Sequence, residues 1–97
     1  MKTLTFEWDH KKAAANARKH GVTFEEARTA FFDENALQFL DPDHSDDEDR
    51  FILLGLSVHL RALVVCHCFR QTETSIRIIS ARTANQVEER AYWEMRR

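Results

Sequence analysis

The chain has 97 residues, 43% of them hydrophobic and 31% charged, with two glycines and one proline. That length predicts a single domain over residues 1–97, and the composition excludes disordered and collagen-like classes. A membrane span is excluded too, because no segment approaches the roughly 20 apolar residues that a bilayer requires.

The net charge of −2 is unevenly spread. "DPDHSDDED" (41–49) holds six acidic residues and no Lys or Arg, so the other 88 residues carry 14 basic against 10 acidic groups, a net of +4. A basic body with one acidic loop can hold an anion locally, although a solvated loop beside an ordinary surface explains the same count. The opening "MKTLTFEWD" lacks the apolar core of a signal peptide, which makes the cytoplasm the expected compartment.

In chain order, "TLTFEW" (3–8) alternates like a strand, and Asp9 caps an alanine-rich helix, "HKKAAANARKH", that Gly21 ends. Thr23 and Glu26 form a capping box for a second helix, "FEEARTAFF", with Phe24, Ala27 and Phe31 on its core face. "ALQFL" (36–40) reads as a short strand before the acidic loop. "RFILLGL" (50–56) and "RALVVCHCF" (61–69), joined through "SVH", read as an antiparallel pair. "RIISAR" is the last strand, and Thr83 with Gln86 opens a closing helix whose Ala84, Val87, Ala91 and Met95 share one side. The expected class is α+β in the order β-α-α-β-β-β-β-α, an antiparallel sheet with helices packed on one face.

Several constellations bear on chemistry. Trp8, Lys12, Asn16 and Lys19 fall on one helical stripe that suits a base and a phosphate backbone, or equally a solvated helix face. His20 closes that helix as a proton donor or a capping side chain. Arg61 and His67 share a strand face but lie about 20 Å apart at 3.3 Å per residue, too far to serve one phosphorus atom. Cys66 and Cys68, one residue apart, point the same way and are poorly placed to bridge each other. No CxxC or HxxxH spacing accompanies them, so neither a metal nor a cofactor is expected. Strict alternation turns Arg77 and Arg82 to opposite faces, whereas a bulge near Ile78-Ile79 would bring them together. Ion pairs with Glu48 or Glu89 offer these arginines a structural role instead.

"FEWD" (6–9), Lys12, Asn16, "KHGVTFEEA" (19–27), "EDR" (48–50), Gly55, "RIISARTA" (77–84) and "ERAY" (89–92) together resemble the BrnT toxin family over nearly the whole chain. His67 is not part of that resemblance. The resemblance implies a RelE-like fold and a ribonuclease toxin of a type II toxin–antitoxin system. The partner it implies is an antitoxin with a ribbon-helix-helix domain (BrnA-like), through which alone operator DNA is bound. It also implies metal-independent RNA cleavage by 2′-hydroxyl attack. The expected catalytic set is then Arg61, Arg77, Arg82 and His20, with Trp8, Lys12, Lys19 and Tyr92 contacting substrate. The alternative is a non-catalytic module whose basic patch docks an acidic partner.

Overall fold

The computed structural model describes residues 3–44 and 48–96, so residues 45–47 of the acidic stretch lie outside the described residues. The elements are β1 (Thr5–Glu7), α1 (His10–His20), α2 (Phe24–Ala30), β2 (Leu37–Asp41), a 3-10 turn (Pro42–His44), β3 (Arg50–Leu56), β4 (Ala62–Phe69), β5 (Ser75–Thr83) and α3 (Gln86–Met95). This is the expected α+β order. The five strands form one sheet in the order β1-β5-β4-β3-β2.

Local chemistry sets the helix ends. The Asp9 carboxylate accepts from the Lys12 backbone N–H at 3.0 Å, and the last turn of α1 is basic, as its dipole favours. Gly21 ends the helix at φ 68°, the left-handed conformation that a Cβ disfavours. Thr23 caps α2 by accepting from Glu26 N–H at 3.0 Å, but the Glu26 side chain does not complete the expected box. It turns to Arg61 and Ser57 instead.

α1 and α2 cover one face of the sheet. Val22, Phe24, Ala27 and Ala30 meet Leu63, Val65, Ile76 and Ile78 there, and Trp8 packs against the same cluster. Complete burial of side chains of this kind stabilises by roughly 1.5–3 kcal/mol each. Gly55 permits the close approach, because a Cβ on it would stand 2.9 Å from the Ala30 carbonyl oxygen and 3.1 Å from Ala36 Cβ.

Three expectations need correction. First, the sheet is mixed, since β1 pairs with the edge of β5 in parallel while every other pair is antiparallel. Second, α3 lies on the opposite face from α1 and α2, where Tyr92 covers Leu54 and Val64. That apolar row needs a cover, and only the chain beyond β5 supplies one. Third, the cap of α3 is Asn85 with Glu88 rather than Thr83 with Gln86, because Thr83 still belongs to β5. The helix is thereby turned so that Tyr92 faces inward, leaving Val87 and Met95 76% and 63% exposed.

Candidate active site

β5 contains an irregularity that decides where its arginines point. Cys66 pairs with Ser80, but the next residue, His67, pairs with Ile78, so Ile79 is an extra residue in the strand. Paired residues share a face. Arg77, paired with Cys68, and Arg82, paired with Val64, therefore both project from the face opposite α1 and α2. The bulge reconciles them, and α3 covers only one end of that face.

The free edge of β5 is closed by α1. Asn16 is buried; its amide donates to Ala81 O at 2.8 Å and to Val22 O at 3.0 Å, and its oxygen accepts from Ala81 N–H at 3.1 Å. This clamp satisfies backbone groups that β1 is too short to reach. Lys12 and His20, one helical turn to either side of Asn16, then flank β5. Lys12 lines a cleft of about 130 Å³ with Asp9, Glu48, Arg50 and Arg77. His20 lines the adjoining cleft of about 350 Å³ with Asp41, Arg50, Cys66, Ser80 and Arg82.

The two arginines differ in their partners. Arg82 donates from Nη1 and Nη2 to the two Glu88 oxygens, both at 2.8 Å. These bonds raise the Arg82 pKa and lower that of Glu88. Glu88 thus occupies the place that Glu48 or Glu89 was expected to take; Glu48 instead lies 3.6 Å from Arg70. Among the described residues, Arg77 makes no ion pair.

Other expected site residues sit apart from this groove. Arg61 is on the α2 side, where Nε donates to Glu26 Oε2 at 2.9 Å and Nη2 to Gly21 O at 3.1 Å. The hydrogen bond from Arg61 to Glu26, aided by Ser57, lowers the Glu26 pKa against the effect of burial. Tyr92 is 1% exposed and donates its hydroxyl to Asp33, so its ring is not open to a base. Trp8 packs edge-on against Phe24 at 5.9 Å. Lys19 is exposed on α1, one residue off the stripe that carries Lys12, Asn16 and His20. His67 is completely buried on the helix-covered face, with ring nitrogens 3.2 Å from Val65 O and 3.1 Å from Gln38 Oε1. Burial lowers its pKa to about 4.

Arg50 is the groove residue that sequence reasoning missed. It opens β3 directly opposite Asp41, and both clefts include it. Alternation along "RFILLGL" puts it on the face of Ile52 and Leu54, which was the available signal. Burial pushes the Cys66 thiol up against the pull of Arg50, which keeps it protonated and a poor nucleophile. Among the described residues, no three His, Cys, Asp or Glu side chains gather as a metal-ligand set. None of the described helices is long and apolar enough to cross a membrane.

Fold and groove together describe a small α+β domain with an arginine-lined cleft, edged by carboxylates, on the half-open face of its sheet. Residues 8–88 match the family described as ribonuclease toxin, BrnT, of type II toxin–antitoxin system, and the chain belongs to that family. The crystal structure of the Brucella abortus ribonuclease toxin BrnT is similar, with a TM-score of 0.56 and 25% identity, covering 87% of this chain and all of that one. No curated protein gives a significant match.

Proposed function

We propose that this ribonuclease toxin cuts RNA without a metal ion, using the substrate's own 2′-hydroxyl. The 2′-oxygen attacks the adjacent phosphorus, the bond from phosphorus to the 5′-oxygen breaks, and a 2′,3′-cyclic phosphate is left. The 2′-proton leaves to a base or solvent, and the departing 5′-oxygen takes one. The observation that carries this reading is the bulge at Ile79, which turns Arg77 and Arg82 to one open face beside Arg50, Lys12 and His20. Charge that grows on the phosphoryl oxygens is best met by preorganised guanidinium groups, which stay protonated and grip two oxygens at once. With that work done by side chains, no further cation is needed.

In this reading Arg77, with Lys12 beside it, holds the reacting phosphate. Arg82 stabilises the same charge while anchored by Glu88, and His20 supplies the proton to the leaving oxygen. Lys19 adds long-range attraction for the polyanion. The pairing of Arg61 with buried Glu26 favours a structural role for that arginine. The partner is an antitoxin with a ribbon-helix-helix DNA-binding domain, which alone brings the toxin to operator DNA, and the compartment is the cytoplasm. The second reading, a non-catalytic module that docks an acidic partner, draws its support from Arg82, whose guanidinium Glu88 already holds.

The test uses purified, partner-free protein on labelled RNA in EDTA, with the Arg77→Ala/Arg82→Ala double variant beside it. The expected result is cleavage by the wild type only, leaving cyclic phosphate ends. A folded wild type that leaves free and ribosome-bound RNA intact would overturn the proposal in favour of the binding module.

A further inference from the structure

One row of the open sheet face has no part in the mechanism above. The register sets Asp41 opposite Arg50 and Cys68 opposite Arg77 along one line, and Leu54, Val64 and Arg82 along another. Between them runs Phe39, Ile52, Cys66 and Ser80. Rows on one face are roughly 7 Å apart and strands about 4.8 Å, so Arg50 on the neighbouring strand is the cation nearest Phe39, while Arg77 and Arg82 on β5 stand three strands, roughly 14 Å, across the sheet. Phe39 begins it from the outer strand with 52% of its surface exposed. Unlike Ile52 directly across from it, Phe39 is not packed into the apolar cluster under α3.

A phenyl ring left half in water on the same open sheet face as the guanidinium groups of Arg50, Arg77 and Arg82 is an arrangement that single-stranded nucleic acid uses. Bases stack on the ring whatever their identity, and the backbone follows the positive charge. We infer that Phe39 is a base-stacking residue of this ribonuclease: single-stranded RNA crosses the sheet, with the reacting phosphate at Arg77 and Arg82 on β5 and a nucleobase further along the strand on Phe39, beside Arg50. The inference rests on the proposed function. It replaces Trp8 and Tyr92, whose rings are engaged elsewhere. It commits the substrate to single strands, because a base inside a duplex cannot reach the ring.

The experiment compares wild type with Phe39→Ala, Phe39→Leu and Phe39→Trp. It measures kcat and KM on single-stranded RNA, and the Kd for an all-deoxy oligonucleotide, which lacks the attacking hydroxyl. Thermal melts of all four should agree, since the side chain is exposed. Phe39→Ala is expected to raise both KM and Kd about tenfold or more, with kcat held within about twofold. Phe39→Trp should restore tight binding, and Phe39→Leu should not. Unchanged KM and Kd in Phe39→Ala would overturn the inference, as would full rescue by leucine. Unchanged RNA binding with weakened antitoxin binding would also overturn it, assigning the ring to protein docking. A wild type that binds the deoxy oligonucleotide through Phe39 yet cuts no RNA would sink the proposed function and leave this inference standing. A wild type that neither binds nor cuts would sink both.

Discussion

Glu88 receives both terminal nitrogens of Arg82 and, through Oε1, also the backbone N–H of Asn85 at 2.9 Å. One carboxylate therefore completes the capping box of α3 and fastens that helix to β5. Arg77, five positions earlier on the same strand, has no comparable tie among the described residues. Arg77→Ala should thus reduce cleavage by a hundredfold or so with an unchanged melting temperature. Arg82→Ala should reduce cleavage and also lower stability by about 1 kcal/mol, a modest figure because the guanidinium is 43% exposed. Circular-dichroism melts beside single-turnover rates separate the two residues. Equal melting losses would place both arginines in the structural class.

The buried His67 makes stability depend on mildly acidic pH. Its pKa falls from 6.5 unfolded to about 4 folded because burial disfavours the charged ring. The unfolded chain binds the proton first, so stability is full above about pH 6.5 and is lost as pH falls towards 4. The loss should reach roughly 3 kcal/mol in denaturant titrations. His67→Leu should be less stable at pH 7 yet lack this slope. The pH profile of cleavage should be indifferent to the change, since the ring faces away from the groove.

Tyr92 acts at the other end of the scale. Burial and the Asp33 carboxylate push its hydroxyl from 10.0 up to about 12. The stability it contributes is complete below pH 10 and disappears as pH rises towards 12, by about 3 kcal/mol. Tyr92→Phe should remove that step in alkaline melts. A variant that retained the step would mean another group is responsible.

Glu26 and Arg61 form the pair that joins α2 to the turn between β3 and β4. Arg61→Ala strands a carboxylate that is 6% exposed, so it should cost about 2 kcal/mol, less than a fully buried pair because the arginine is 39% exposed. A double-mutant cycle with Glu26→Gln should return a coupling of about 1 kcal/mol or more. Cleavage per folded molecule should be unchanged. A fall in rate without a fall in stability would return Arg61 to the active site.

Much of the fold was legible because period and punctuation agreed. Asp9, Thr23 and Gly21 mark the ends of α1 and α2 by side-chain and backbone chemistry that acts within four residues. The orientation of α3 was not legible, because Val87, Ala91 and Met95 make as regular an apolar stripe as a buried face does. What turned the helix was a pair of polar contacts, Glu88 to Arg82 and Tyr92 to Asp33, reaching six and 59 residues back along the chain. The groove was half legible. Arg77 and His20 were visible as chemistry, and the bulge as one of two possibilities. Arg50 was not, since its relevance depends on strand pairing that spacing alone does not specify. Asn16 was read as a surface amide and proves to be a buried clamp, a role set entirely by what β5 lacks on its outer edge.

The extra residue at Ile79 makes the groove a matter of counting. Arg77 and Arg82 are five positions apart, so pairing β5 with β4 in strict alternation would drive one guanidinium into the apolar layer beneath α1, whereas loss of one residue between them would leave them four apart and on one face with no bulge. Natural variation at position 79 should therefore be broad in side chain, and a chain that lost the residue outright would still hold both guanidinium groups on the open face. In a set of relatives, an odd spacing of the two arginines should come with a bulge and an even spacing without one, and that agreement would be a better mark of a working toxin than the identity of any residue between them.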